Sequence, residues 1–353
     1  MRKYYTRACN FFYGSTSRQL ISKKLTLPLC GDKSLSFNQI EIFTRDKNKV
    51  SSKIISIKKI NKLPVVLKKK ISEDIKKITS KRLLIKNNKH LLMGILNMTP
   101  DSFSDGGRFN TTKKAVHRIR KMIANGADII DIGGESTRPG SKIISQKNEL
   151  KRVKNIIDIF KKKFTKTLLS IDTRKSLVMN YCIKKNVDVI NDVSCFKFDQ
   201  KSFELIKNKN LWKIIHHMKG TPQNMQNNPT YNNVLLDIYD FFENEIKKFK
   251  KDRYRGKLIL DPGIGFGKNL KHNLMIINKI SLFHSLGFPI LIGTSRKRFI
   301  NQITANYDTK ERIGGTISSI IFSLLQGVKI FRIHNVAEVK QSLLVYETLL
   351  NNQ

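Results

Sequence analysis

The chain has 353 residues, 40% of them hydrophobic, which predicts one large globular unit with room for an appendage. Lys and Arg number 67 against 27 Asp and Glu, so the formal charge is +40. Such a charge is typical of proteins that bind nucleic acid or anionic membranes, but these lysines are spread over the whole chain. Their distribution favours a solvated surface of biased composition; steering of anionic substrates is the alternative.

Cysteine usage and hydropathy exclude further classes. The four cysteines form no C-x-x-C pair and no Cys/His spacing suited to zinc, which predicts reduced thiols. No run of 18 apolar residues occurs, and the N-terminus has no hydrophobic signal core. We therefore expect a cytoplasmic protein without a membrane partner.

Residues 1–88 are predicted to be an N-terminal extension of unknown role. Its beginning is basic and free of acids, as organellar transit peptides are, but the whole chain is basic. The next segment, LPLCGDKSLSFNQIEIF, alternates like a short hairpin around a Gly-Asp turn. This alternation favours a small folded appendage over a discarded leader.

Residues 89–353 show a strand and helix rhythm that predicts a (β/α)8 TIM barrel. Short apolar runs alternate with amphipathic segments such as TKKAVHRIRKMIANGA, whose apolar positions recur every three or four residues. Eight repeats in about 260 residues favour a barrel, and an open doubly wound sheet is the alternative. The runs are LLMGILN, ADIIDIG, LLSIDT, VDVINDV, LWKIIHH, KLILD, PILIG and KIFRIH.

Polar or charged groups follow all eight runs. A barrel gathers the carboxyl ends of its strands on one face, where enzymes of this fold place their active sites. One Asp at a strand end is more often a helix cap than a catalyst, but capping does not explain eight polar ends out of eight. The groups are Asn97, GGESTRPG, Asp172, Asn191 with Asp192, HHMKG, Asp261 with GIGFGK, TSRK, and Arg332 with His334.

Two carboxylates and an amide, those of Asp172, Asp261 and Asn191, predict what the site binds. Paired carboxylates are typical of glycosidases, but they also suit a flat nitrogen heterocycle bound through its amino group and ring N–H. The narrow interior of a barrel favours the heterocycle. Lys297 is the nearest candidate for neutralising the carboxylates.

Arg138, Arg332 and His334, with the amide of Asn97, predict an anion site at the rim. No matching acid is evident beside them, which suits phosphate or diphosphate.

Two phenylalanines are candidates to contact a second aromatic reactant. Phe103 and Phe266 both lie in polar loops that contain glycine. The glycine-containing segments GIGFGK and GTSRK are not Walker A motifs, because Pro262 stands where the first glycine belongs and Asn269 follows the lysine.

Together these motifs resemble the dihydropteroate synthase family over about residues 90–345. Both signature segments, MGILNMTPDSFSDGG and DIGGESTRPG, are present, and SIDTRK, VINDVS, HMKGTP, LDPGIGFGKN, GTSRKRFI and FRIHNV follow in family order. The resemblance implies a homodimeric barrel with Mg²⁺ as cofactor. Its reaction would join 7,8-dihydropterin-6-ylmethyl diphosphate to 4-aminobenzoate, releasing diphosphate and 7,8-dihydropteroate.

The resemblance also implies roles for individual residues. The implied catalytic residues are Asp172, Lys297, Arg332 and His334. Pterin recognition falls to Asp172, Asn191, Met218, Asp261 and Lys297. The residues implied to bind diphosphate are Thr137, Arg138, Arg332 and His334, and the implied metal ligand is Asn97. The residues implied to bind aminobenzoate are Phe103, Pro139 and Phe266. The loops 97–107 and 136–140 would close over the reactants.

Two positions depart from the family pattern. Arg298 stands where many relatives have Ser beside the aminobenzoate carboxylate, so affinity rather than reaction type is in doubt. Asn335 replaces a common Asp after His334, which we expect to loosen the orientation of that histidine.

Two other functions remain as alternatives. A methyltetrahydrofolate:corrinoid methyltransferase type of pterin barrel would have no use for the TPDSFSDGG, STRPG and SRK segments. A basic RNA-binding barrel without catalysis would bind RNA in a salt-sensitive way. The intact site motifs favour the synthase, so we expect no nucleic acid partner.

Overall fold

The chain begins with a small antiparallel sheet. The structure, a computed structural model, describes residues 2–84, 89–99, 108–136, 140–249, 257–305 and 308–351. We call residues 2–84 the N-terminal module. It contains β1 (Lys3–Tyr13), α1 (Gly14–Ser22), β2 (Leu27–Leu29), β3 (Asp32–Asp46), β4 (Lys49–Ser56), a 310 helix (Ile57–Lys62) and α2 (Val65–Thr79).

The long strand β3 is the centre of this sheet. It pairs with β1 along one edge and with β2 and β4 along the other. The β2–β3 pair is the hairpin that the alternation in LPLCGDKSLSFNQIEIF predicts. Its turn contains Cys30 and Gly31, both with positive φ.

The two faces of β1 and β3 are buried in different cores, whereas most of β4 is exposed. Successive side chains of a strand point to opposite faces. On one face Ile40 and Ile42 of β3 pack with Ile71 of α2 in a cluster confined to the module. On the other face Tyr5 and Phe43 join the main hydrophobic cluster of the rest of the chain. The module is therefore packed against the barrel.

The described residues after the module form the predicted barrel of eight parallel strands. Neighbouring strands pair in the order β10-β9-β8-β7-β6-β5-β12-β11, and a bridge between Leu260 and Ile290 joins the two ends of this row. The doubly wound alternative is therefore wrong. The strands are β5 (Leu91–Asn97), β6 (Ile129–Gly133), β7 (Leu168–Asp172), β8 (Val189–Asp192), β9 (Trp212–His216), β10 (Leu258–Asp261), β11 (Leu291–Ile292) and β12 (Ile330–Ile333).

Helices alternate with the barrel strands and cover them. Their apolar faces contribute to the main cluster, as Val153 and Ile157 show, and lysines cover the outside. None of the helices in the described ranges combines the length and apolar character needed to cross a bilayer. The helices are α3 (Arg108–Ala124), α4 (Gln146–Lys163), α5 (Ser176–Lys184), α6 (Gln200–Ile206), α7 (Val234–Phe249), α8 (Leu270–Asn278), a 310 helix (Ile280–Leu286), α9 (Arg298–Thr304), α10 (Ile313–Leu324) and α11 (Val336–Asn351).

Candidate active site

The polar groups of the site form one inward-facing layer of the barrel. Because side chains alternate along a strand, every second residue of each barrel strand points inward. The layer nearer the amino ends is apolar and consists of Met93, Ile129, Leu168, Val189, Ile214, Ile259, Leu291 and Ile330. Two residues further along the strands stand Asp131, Ser170, Asn191, His216, Asp261 and Arg332. A polar layer thus lies directly above an apolar floor.

Arg332 joins two carboxylates at the mouth of the barrel. Its Nε donates to Asp131 at 2.7 Å, and its Nη2 donates to Asp172 at 2.8 Å. The fully buried Asp131 also accepts a hydrogen bond from Asn191 Nδ2 at 3.2 Å. The expectation that no acid lies beside Arg332 is therefore wrong. Arg332, rather than Lys297, is the cation hydrogen-bonded to Asp172.

Burial perturbs both carboxyl groups that the sequence predicts to bind a heterocycle. It raises the pKa of Asp172 to about 7, against the opposing charge of Arg332, and the pKa of Asp261 to about 6. Asp261 Oδ1 accepts the backbone N–H of Gly263 at 2.8 Å, whereas Oδ2 is 3.9 Å from His216 Nε2. Burial lowers the pKa of His216 well below its usual value, so that imidazole is neutral. Carboxyl groups that titrate near neutrality in a concave site are typical of functional sites.

Asn191 holds a buried acceptor that the described residues leave unpaired. Its Nδ2 is bonded to Asp131, but its Oδ1 has no hydrogen-bond partner in the described part of the chain. A buried polar atom without a partner costs about 1–3 kcal/mol. A ligand that brings an N–H donor to this oxygen would remove that cost.

Lys297 and Phe266 lie together beside the carboxylates. The ammonium is 4.1 Å from the centroid of the phenyl ring, and His216 packs edge-on against the same ring with centroids 4.6 Å apart. Burial, followed by the charge of Arg332, lowers the pKa of Lys297 to about 8. The Phe266 side of the site is thus nearly closed, because the residue is only 9% exposed and one ring face already carries a cation.

His334 is oriented by Ser295. Ser295 Oγ accepts the backbone N–H of His334 at 3.2 Å and lies 3.0 Å from its Nδ1. Burial lowers the pKa of His334 to about 3, so the ring is neutral. Asn335, which the sequence predicts to affect this orientation, instead accepts two hydrogen bonds from Arg296.

A buried ion-pair network anchors the loop that follows β6. Glu135 accepts hydrogen bonds from Arg174 Nε and Lys175 Nζ, both at 2.8 Å, and from the backbone N–H of Ile144 at 3.0 Å. Lys175 also pairs with Glu149 at 2.7 Å. The carboxylate of Glu135 thereby ties the two ends of the loop 136–143 to each other and to the end of β7.

The turn after β10 depends on glycine. Gly263 has a φ of +67°, and a Cβ built there would lie 2.0 Å from the backbone oxygen of His217. The buried Lys268 Nζ donates to the backbone oxygens of His217 and Phe266 at 3.3 and 2.9 Å. Met218, half-buried, packs in the same small apolar cluster as Phe266. These contacts hold the Phe266 segment over the end of β9.

The structure brings most of the predicted site residues to one end of the barrel. The residues it places there are Asn97, Asp172, Asn191, Met218, Asp261, Phe266, Lys297, Arg332 and His334. Phe103, Thr137, Arg138 and Pro139 lie outside the described residues. The sequence analysis missed Asp131 and Glu135. Asp131 could have been found as a charge inside the apolar run ADIIDIG, because a charge on an inward face of a barrel needs a partner.

This arrangement defines a barrel enzyme that binds pterins. The family described as "Pterin binding enzyme" matches residues 93–334, which is more than half of the chain. The whole N-terminal module, residues 2–84, precedes the matched residues.

Known relatives narrow the class further. Dihydropteroate synthase of Escherichia coli (strain K12) is 38% identical over 261 residues, covering 74% of this chain and 92% of that protein. The Yersinia pestis dihydropteroate synthase in complex with a sulfonamide drug has a TM-score of 0.69 at 36% identity, covering 74% and 94% of the two chains. The Xanthomonas albilineans enzyme with 4-aminobenzoic acid has a TM-score of 0.68 at 31% identity, covering 74% and 93%. The chain belongs to the dihydropteroate synthase family and is therefore a transferase.

Proposed function

We propose that this protein joins 7,8-dihydropterin-6-ylmethyl diphosphate to 4-aminobenzoate and that the polar layer of the barrel binds the pterin. The unpaired Asn191 Oδ1 carries this proposal, because a pterin offers ring N–H and amino donors at its edge. Within the described ranges, the nearest ion-pair partner of Asp261 Oδ2 is His216 at 3.9 Å, so this oxygen supplies a second acceptor. Lys297 donates to an acceptor of the ring, and Met218 packs on its apolar face.

The anion site lies beside the pterin at the mouth of the barrel. Arg332 brings a guanidinium to the mouth, and His334 offers a neutral imidazole. With Thr137 and Arg138, which lie outside the described residues, they bind the diphosphate. The two ion pairs of Arg332 fix its guanidinium before substrate binds, so little reorganisation is needed as charge develops on the leaving group.

Asn97 fits the single protein ligand expected for Mg²⁺. No group of three His, Cys, Asp or Glu side chains suited to a metal occurs within the described ranges. Mg²⁺, however, is often held by one or two protein oxygens together with water and substrate phosphates. Gly133, at the end of β6, lies between Asn97 and Asp172: a Cβ built on it would be 3.8 Å from Asn97 Oδ1 and 3.5 Å from Asp172 Cβ. The amide oxygen of Asn97 is therefore close to the end of β7 that carries Asp172. When bound there, Mg²⁺ neutralises charge on the diphosphate.

The chemistry follows from these positions. The bond between the pterin methylene carbon and diphosphate oxygen breaks, and the electron pair leaves with the diphosphate. The Asp172 carboxylate, held by Arg332, stabilises the positive charge that spreads over the pterin ring. The neutral aniline nitrogen of 4-aminobenzoate attacks the methylene carbon and then loses a proton, so no strong base is needed. The aminobenzoate lies against Phe266, near the exposed Arg298, and its other proposed contacts, Phe103 and Pro139, lie outside the described residues.

Diphosphate release tests the proposal. Purified protein is given the pterin diphosphate, Mg²⁺ and 4-aminobenzoate, alone and in combination, beside the variants Asp172→Asn and Lys297→Ala. Lys271→Ala on the exposed surface of α8 is the matched control. We expect turnover that needs all three components, collapses in both site variants and survives in the control. A wild-type protein that binds the pterin but releases no diphosphate would contradict the proposal.

A second copy of the chain is the partner that we propose for α10. No charged residue occurs between Arg312 and Lys329, although 27% of the chain is charged. Gly314, Ser318 and Phe322 are exposed along this helix, Phe322 by 45%. An apolar face of this kind is typical of a homodimer interface. Phe322→Glu should shift the mass measured by light scattering from dimer to monomer, and an unchanged mass would place the interface elsewhere.

We also propose that the chain divides at residues 88 and 89 and that the protein is cytoplasmic. The separate hydrophobic cluster of the module supports the division. The four cysteines, all free and buried, suit a reducing compartment.

A further inference from the structure

The barrel is weakest where β11 closes it. β11 has two residues, and it pairs with β12 over two positions only, Leu291 with Ile330 and Ile292 with Phe331. On its other side one bridge, at Ile290, connects it to β10. By contrast β5 and β6 pair over five positions. We call the junction of β10, β11 and β12 the seam.

The seam carries several of the groups at the opposite end of the barrel. β11 leads within five residues to Lys297, and β12 contains Arg332 and leads to His334. Few hydrogen bonds fix the register of β11. The contacts that hold the amino ends of β11 and β12 therefore also determine the positions of Lys297, Arg332 and His334.

The N-terminal module holds the segment that enters β11. All seven residues of the 310 helix Ile280–Leu286 are buried. Ser281 Oγ donates to the backbone oxygen of Ala8 at 2.9 Å. Just before this helix, Lys279 pairs with Glu41 of β3 at 2.7 Å, and Arg7 of β1 pairs with the same carboxylate at 2.7 Å. The strands of the module thus bind the chain a few residues before the seam.

The module also holds the segment that enters β12. Lys329 immediately precedes this strand, and its Nζ donates to Asp32 Oδ2 at 3.1 Å. Gly327 lies against the module so closely that a Cβ there would be 2.5 Å from Leu29 Cδ2. Both strands of the seam are therefore anchored to the same part of the chain.

His284 connects the two anchors. Its Nε2 lies 2.9 Å from the backbone oxygen of Gln326, which requires a proton on that nitrogen, and its Nδ1 lies 3.2 Å from Cys30 Sγ. Arg82 of the module donates to the backbone oxygen of His284 at 3.1 Å. Burial lowers the pKa of His284 to about 3, so one neutral imidazole links the module to the segments before β11 and β12.

The ion pairs of the module with α7 are of a different kind. Lys3 and Arg45 pair with Asp237, Asp240 and Glu243 on α7, but these pairs are partly exposed to solvent. Partly exposed ion pairs contribute about 0–1 kcal/mol. The buried contacts around His284 are therefore the ones able to fix a strand.

We propose that the N-terminal module is a brace that fixes the amino ends of β11 and β12, with His284 as the positioning residue that connects them. Through these strands the brace sets the positions of Lys297, Arg332 and His334. The catalytic consequence rests on the proposed function, whereas the structural one does not depend on any substrate.

Hydrogen exchange of the full-length chain, followed by mass spectrometry, tests the brace directly. His284→Leu removes both ring hydrogen bonds, and His284→Gln keeps a donor for the backbone oxygen of Gln326. Arg45→Met is the matched control, because it breaks contacts of the same module with α7 only. We expect His284→Leu to speed exchange of segments 290–293 and 329–333 about tenfold while β6 to β8 keep their protection. His284→Gln should restore most of the protection, and Arg45→Met should leave the seam unchanged.

Two outcomes would overturn the brace: an equal loss of protection in β6 to β8, which marks general destabilisation, and no change at the seam. Turnover of the same variants separates the two parts of the inference. If the brace positions Lys297 and Arg332, kcat/KM falls about tenfold in His284→Leu and recovers in His284→Gln. If the wild-type protein has no synthase activity, the exchange result still stands or fails by itself.

Discussion

Glu135→Gln is the substitution from which the structure predicts most about the active-site loops. The carboxylate is 7% exposed and accepts from Arg174, Lys175 and the backbone of Ile144. The amide keeps the shape of the side chain but removes its charge, and it offers one acceptor where the carboxylate offers two. The perturbation is thus confined to the anchor of the loop 136–143.

The expected loss in the free energy of unfolding depends on the contacts that Arg174 and Lys175 keep when the charge of Glu135 is removed. Removing one charge of a buried ion pair typically costs about 3–5 kcal/mol. Lys175 keeps Glu149 at 2.7 Å, and Arg174 keeps its cation–π contact with Phe198 at 3.9 Å, so we expect a loss near the low end, about 3 kcal/mol. Glu204→Gln, in an exposed pair with Lys207, is the control and should cost less than about 1 kcal/mol.

The assay compares unfolding in urea with steady-state kinetics. Because the loop carries Thr137, Arg138 and Pro139 but not the pterin floor, turnover should fall about tenfold while pterin affinity changes less than about twofold. Equal losses in turnover and pterin affinity would refute the anchoring argument, and so would a variant as stable as the wild-type protein.

Three other predictions follow from the site. The profile of kcat/KM against pH should be bell-shaped, rising between about pH 6 and about pH 7 as Asp261 and then Asp172 ionise and falling near pH 8 as Lys297 loses its proton, and Lys297→Arg should move only the alkaline limb upward; an unmoved alkaline limb would assign it to another group. Asn97→Ala should raise the Mg²⁺ concentration needed for half-maximal turnover about tenfold, the effect of losing one neutral ligand worth about 1.4 kcal/mol; an unchanged requirement would place the metal elsewhere. Gly263→Ala should lower the free energy of unfolding by about 3 kcal/mol, because its Cβ would clash with a backbone oxygen at positive φ. Gly314→Ala, on a helix with open space around it, should instead gain about 0.5–1 kcal/mol, and similar values for the two glycines would contradict the close approach.

The barrel and the composition of its mouth could be predicted because both depend on local alternation. The run LLSIDT places Leu168 inward by strand geometry, and Ser170 and Asp172 follow on the same face. Once eight such runs alternate with helices, the parallel pairing of neighbouring strands in a barrel can be predicted from their order in the sequence. The polar ends therefore pointed to one site before any contact was known.

The pairing of side chains across the mouth could not be predicted, because it depends on residues far apart in the chain. Arg332 is 160 residues from Asp172 and 201 from Asp131, and no spacing rule connects them. At the end of β12, adjacent residues in the sequence have different partners. His334 contacts Ser295, whereas the adjacent Asn335 contacts Arg296.

Strands β1 and β3 of the N-terminal sheet, which bury both of their faces, constrain how the sequence of this chain can diverge. An element with one buried face can change freely on the other. Here Ile40 and Phe43 of one strand belong to two cores, and Tyr5 packs edge-on against Tyr239 of α7 with ring centroids 5.1 Å apart. We therefore expect substitutions in β1, β3 and α7 to accumulate together. A chimaera that exchanges the extension between distant relatives would need to exchange α7 with it.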